Sequence, residues 1–75
     1  MANLPVCSGR DAVAAFELAG WVRARQRGSH LTLIKPGAIN ILSVPLHQEL
    51  KRGILRSLIR KAGLTVEEFC SFLSR

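Results

Sequence analysis

The sequence predicts a small α+β sandwich: one helix, three antiparallel strands, then one or two helices that cover a single face of the sheet. Three observations lead there. Apolar residues recur at helical spacing near both ends, in Ala12, Val13, Phe16 and Ala19 and again in Ile54, Leu55, Leu58, Ile59 and Ala62. Between these stretches, two short extended runs flank Gly28-Ser29, and a third run follows Pro36-Gly37. The length of 75 residues suits one small domain over 1–75, and 48% apolar residues suffice for a thin core. A domain of this size buries only roughly 60% of the surface its unfolded chain exposes, so oligomerisation or a partner can add to its stability.

Each element has a local cause. Met1 to Cys7 read as a lead-in. Ser8 can cap the first helix, with Asp11 three residues on, near the positive end of the helix dipole. Gly20 is placed to terminate that helix. The first two strands are expected over Trp21–Gln26 and His30–Lys35, joined through Arg27-Gly28-Ser29-His30. Gly followed by Ser suits a type II′ turn, in which glycine takes the positive φ. A two-residue turn pairs Arg27 with His30, Arg25 with Thr32 and Arg23 with Ile34. Directly opposed residues share a face, with Cβ atoms about 4.5–5.5 Å apart. The arginines and His30 then lie on one face, and Val22, Ala24, Leu31 and Leu33 on the other. A three-residue loop would set Arg25 opposite Leu31 on the core face, so the hydrophobic pattern favours the two-residue register.

Lys35-Pro36-Gly37-Ala38 is a type II turn with Pro and Gly at its centre. Ala38–Val44 is expected as the third strand, ended by Pro45, which holds Val44 extended. Gly63 stops the helix carrying Leu55 and Leu58. Thr65-Val66-Glu67-Glu68 forms a capping box, after which Phe69, Phe72 and Leu73 continue an apolar face. The sheet face opposite the helices, with Arg23, Arg25 and His30, is left open.

Composition narrows the function. The formal net charge is +6, the sequence pI is near 10.8, and eight of the eleven basic residues are arginine. That balance favours acidic partners: nucleic acid, an anionic surface or an acidic protein. The aromatic residues are Phe16, Trp21, Phe69 and Phe72 alone, which argues against long base-stacking platforms. Trp21 could stack a base, but its place after Gly20 at the head of a strand suits packing at the core edge. No apolar run approaches the about 20 residues needed to span a bilayer, so no membrane role is expected. Cys7 and Cys70 form no CxxC pair and follow no secretory signal, and they read as reduced thiols of a cytosolic protein.

His30 is the residue where acid–base chemistry and anion binding coincide. Imidazole moves protons near neutral pH, and guanidinium holds anionic phosphate. RNA supplies its own nucleophile in the 2′-OH, so an enzyme need only transfer protons, align the backbone and stabilise charge. Arg23, Arg25 and Arg27 are candidate phosphate contacts; their plainer role is a charged strand that resists edge-to-edge pairing. Ser29 can donate to phosphate or serve the turn, and Gly28 is present for its conformation. His47, after Pro45, is a secondary candidate, as a second proton carrier or as a loop residue ordering the approach to the last helices. Arg56 is another, on a stripe with Arg52 and Arg60 at i, i+4 and i+8 that can extend an RNA track, meet a protein or simply face water. His30, His47, Cys7 and Cys70 lack zinc-ligand spacing, so neither metal nor other cofactor is expected.

These residues also carry a resemblance. Arg25-Gln26-Arg27-Gly28-Ser29-His30 resembles the hallmark of the HicA toxin family. Val44-Pro45-Leu46-His47, Leu50-Lys51-Arg52-Gly53-Ile54-Leu55-Arg56 and Ala62-Gly63-Leu64-Thr65-Val66-Glu67-Glu68-Phe69 resemble the rest of that family in the same order, over residues 8–73. The chain departs from it at Ile54, where many members have threonine, and at Leu31, where many carry a polar residue or histidine. The resemblance implies an α-β-β-β-α fold similar to double-stranded RNA-binding domains. It implies a ribosome-independent mRNA interferase of the prokaryotic cytoplasm, neutralised by a HicB-type antitoxin, with His30 as catalytic histidine. Two other classes compete: a non-catalytic RNA-binding module on the same basic face, and a domain that only meets an acidic protein.

Overall fold

The computed structural model describes residues 3–74, so the start of the Met1–Cys7 lead-in lies outside the described residues. The element order is α1 (Gly9–Leu18), β1 (Val22–Arg27), β2 (His30–Ile34), β3 (Leu42–Pro45), α2 (Arg52–Lys61) and α3 (Val66–Leu73). The expected α+β layout is thus observed, with two C-terminal helices. The strands form one antiparallel sheet in the order β1-β2-β3.

Both capping boxes form. The Asp11 amide donates to Ser8 Oγ at 3.0 Å and the Ser8 amide to Asp11 Oδ2 at 3.4 Å. At α3 the Glu68 amide donates to Thr65 Oγ1 at 3.1 Å and the Thr65 amide to Glu68 Oε1 at 2.8 Å. Each box satisfies helix-end amides that would otherwise lack partners. Lys51 stands at the N-cap of α2 and makes no side-chain capping bond, while Ile54 lies inside the first turn of the helix.

The core gathers Ala12, Val13 and Phe16 of α1, Leu31 and Leu33 of β2, Leu42 and Val44 of β3, Leu55, Leu58 and Ile59 of α2, and Phe69 of α3. Phe16 and Phe69 are fully buried, with ring centroids 5.2 Å apart and planes tilted by 47°. Ile54, counted with the helical stripe in the sequence, is exposed at the edge of the buried face. Trp21 packs into the core, as its position suggested.

The hairpin turn is as expected. Gly28 has φ +55° and Ser29 is not at positive φ, which fits type II′, whereas type I′ needs both residues there. Arg27 pairs with His30 and Arg25 with Thr32. Beyond that point the expected register fails: the pairing shifts between Arg23 and Arg25, so Arg23 lies opposite Leu33 and Val22 opposite Ile34. An unpaired Ala24 reverses the faces of everything before it, as a β-bulge does. Val22 therefore joins the open face instead of the core. The third strand is also shorter than expected. Residues 38–41 leave the sheet, and Asn40 Nδ2 donates to the Lys61 carbonyl at the end of α2 at 3.4 Å. Pro45 is the last residue of β3, paired with His30 on an edge strand, where a missing amide is tolerated.

Cys7 and Cys70 are both free thiols. Burial pushes the Cys7 thiol up, and the nearby Asp11 carboxylate and Cys70 add to the rise. Cys7 should therefore resist alkylation. Iodoacetamide at neutral pH is expected to modify the partly exposed Cys70 about tenfold or more faster, with Cys7 reacting mainly on unfolding. Mass spectrometry over a time course, with and without urea, checks this.

Candidate active site

Three crossing rows make up the open face of the sheet. Arg27, His30 and Pro45 form the row nearest the hairpin turn, and Arg25, Thr32 and Ser43 form the next. At the far end Val22 lies beside Ile34, 53% and 45% exposed. The β2–β3 pairing ends at Leu33 and Leu42, and Ile41, the residue just before β3, is also 58% exposed. The face is thus basic and polar at one end and apolar at the other.

Arg25, Arg27 and His30 are exposed and share this face because side chains alternate along a strand and opposed residues match. Among the described residues the one salt bridge joins Arg23 Nε to Glu17 Oε2 at 3.1 Å. The guanidinium groups of Arg25 and Arg27 therefore have no carboxylate partner there and present net positive charge to solvent. Arg23 is separated from them: the shift at Ala24 puts it on the helix side, where α1 holds it through Glu17. The sequence pattern could not show this, since alanine is no marker of a bulge.

Ser29 and Gly28 form the turn. The Gly28 carbonyl accepts from Gln26 Nε2 at 3.0 Å, which braces the tip, and the Ser29 carbonyl accepts the Leu46 amide at 2.6 Å. That second bond draws the loop after β3 to the hairpin and brings His47 beside His30. The ring centroids are 6.4 Å apart with planes at 73°. Arg56 is exposed on α2, where it lines a shallow hollow with Ile59, Arg60, Leu64, Thr65 and Val66, none of them a sheet residue.

Gly9 is a positioning residue that sequence reasoning passed over. Its amide donates to the His47 carbonyl at 2.9 Å. A Cβ at Gly9 would collide with the Pro45 carbonyl and fall 2.8 Å from Leu46 Cα. Only glycine lets the start of α1 approach this closely, and the only sign in the sequence was a glycine at the head of a helix. Because backbone would have to move, Gly9→Ala is expected to cost about 1–3 kcal/mol in urea denaturation.

Arg10, Val13, Arg23, Gln26, Leu31 and Leu46 line a smaller hollow on the helix side. A wider hollow, walled by Trp21, Lys35, Asn40 and Lys61, sits at the opposite end of the β1–β2 hairpin from His30. Arg25, Arg27 and His30 are exposed and line none of these three hollows, so the His30 site is an open surface, a shape that receives an extended polymer more readily than a small molecule. Among the described residues no group of three or more His, Cys, Asp or Glu is placed to hold a metal ion, and no helix is long and apolar enough to cross a membrane.

The sheet thus presents an open, basic face with a histidine beside its turn, and helices pack against its other face. The chain resembles the structure described as "Toxin-Antitoxin complex from Streptococcus pneumoniae" with a TM-score of 0.67 and 29% identity, over 76% of this chain and 97% of that one. A family model, HicA toxin of bacterial toxin-antitoxin, matches residues 9–64, and the chain belongs to that family. No curated protein matches it.

Proposed function

We propose that this toxin is a metal-independent endoribonuclease that cleaves mRNA in the prokaryotic cytoplasm, with His30 as its acid–base group. The observation that carries the reading is the placement of His30 directly opposite Arg27, with Arg25 on the same exposed face and neither arginine neutralised by a carboxylate among the described residues. Arg25 and Arg27 hold the phosphate, and Ser29 and Gly28 shape the turn that presents His30. Arg23 acts through Glu17 and braces α1 against β1.

A HicB-type antitoxin neutralises the enzyme in this reading by covering the open face. The apolar row at Val22 and Ile34 supplies an anchor. Ile34 lies four residue steps along the strand from His30, about 13 Å at the usual rise, so one protein seated on the row also reaches the histidine. An interface of ordinary size spans that distance.

The test is incubation of wild type and His30→Ala with a long unstructured RNA in excess EDTA. Fragments from wild type alone support the proposal. RNA left intact by folded wild type overturns it. The open, exposed and basic character of the face favours one other reading, a basic RNA-binding module. That reading expects both proteins to bind RNA without cleaving it, with affinity falling as salt rises.

A further inference from the structure

We propose that His47 is the second proton-transfer group of this site, so that His30 and His47 act as a base and an acid on opposite sides of one phosphodiester. The inference rests on the ribonuclease reading above and deepens it.

The two histidines come from different elements and meet through tertiary structure alone. Their spacing is set by backbone. The Leu46 amide donates to the Ser29 carbonyl at 2.6 Å, and these are the residues immediately before His47 and His30. On the other side of the loop, the Gly9 amide holds the His47 carbonyl at 2.9 Å and the Leu50 amide donates to the Cys7 carbonyl at 2.9 Å. Pinned between hairpin and helix, the loop gives His47 a defined place despite its exposure.

Neither imidazole has a hydrogen-bond or ion-pair partner among the described residues, so neither ring is engaged in holding the fold. At 6.4 Å between centroids, with planes at 73°, the rings stand edge to face, and no hydrogen bond joins them. In-line displacement at phosphorus places the attacking and leaving oxygens on opposite sides. Each oxygen needs a proton-transfer group within about 2.6–3.2 Å. Two adjacent exposed rings, neither bonded to protein, can each turn a nitrogen to one of these oxygens of a phosphate that Arg25 and Arg27 hold by its non-bridging oxygens.

The step balances without a co-reactant. One imidazole, neutral, takes the 2′-OH proton as the O2′–P bond forms. The P–O5′ bond breaks and its electron pair goes to O5′, which takes a proton from the other ring, an imidazolium. The products are a 2′,3′-cyclic phosphate and a 5′-OH. The two rings have exchanged protonation states, and solvent resets them.

A substrate with sulfur in place of the leaving O5′ tests this, because a thiolate departs without a proton. On ordinary RNA, His30→Ala and His47→Ala are each expected to lose about 100-fold or more. On the sulfur-bridged RNA one of the two variants, the one lacking the acid, recovers towards the wild-type rate and the other does not. The wild-type pH–rate profile is a bell, and each variant loses one limb. The inference is overturned if His47→Ala cleaves ordinary RNA within about threefold of wild type, well short of what a proton-transfer group supplies. It is also overturned if sulfur rescues neither variant, or if His47→Ala and His47→Gln are slow but keep the whole bell, the mark of a structural role. Failure of wild type itself to cleave in EDTA would instead remove the ribonuclease reading on which the inference rests.

Discussion

His30→Ala is expected to lower RNA cleavage by about 10²–10⁴-fold, the usual contribution of a general acid–base group. Its melting temperature should stay close to that of wild type. The ring is exposed and has no hydrogen-bond partner among the described residues, while the pairing of His30 with Arg27 and Pro45 uses only backbone. Surface changes of this kind shift stability by about 0.5 kcal/mol or less. Binding should be retained, because Arg25 and Arg27 remain to hold phosphate. A variant that binds RNA with a normal salt slope, melts normally and does not cleave assigns His30 to the chemical step. Gel-resolved cleavage, salt-dependent binding and thermal melts together separate that outcome from loss of fold or of RNA.

Phe16→Ala has the largest expected effect on stability, a loss of about 3–5 kcal/mol. Phe16 is fully buried between the helices and stacks obliquely on Phe69, so truncation removes both the burial and an aromatic contact and leaves a cavity. A chain of 75 residues is expected to be stable by roughly 4–11 kcal/mol, so the variant loses a large part of its margin. The midpoint of urea denaturation checks it. Ile39→Ala is the control: this side chain is 99% exposed, and its removal should change stability by about 0.5 kcal/mol or less.

Much of the architecture was legible along the chain because its causes are local. Ser8 with Asp11 and Thr65 with Glu68 announce helix starts within four residues, and Gly28 announces the turn that sets Arg27 against His30 and Arg25 against Thr32. The alternation of Leu31 and Leu33 with polar residues then selects the face. Where the expectation failed, a distant group decided. Ala24 resembles any strand alanine, yet the bulge there turns Arg23 towards Glu17. The apolar stretch from Ala38 to Ile41 resembles a strand, yet Asn40 bonds to the end of α2 and these residues leave the ladder.

The sequence by itself determined the α+β class, the helix caps, the hairpin register next to its turn and the identity of the basic face with His30. Periodicity, capping and turn chemistry act over a few residues and can be read without knowing what lies across the molecule. Only the tertiary structure decided that Arg23 leaves that face, that Val22 and Ile34 form an apolar row on it, and that Gly9 and Ser29 fasten the loop setting His47 beside His30. Those outcomes depend on which backbone groups remain unpaired once the sheet and helices have packed, and packing joins residues far apart in the chain.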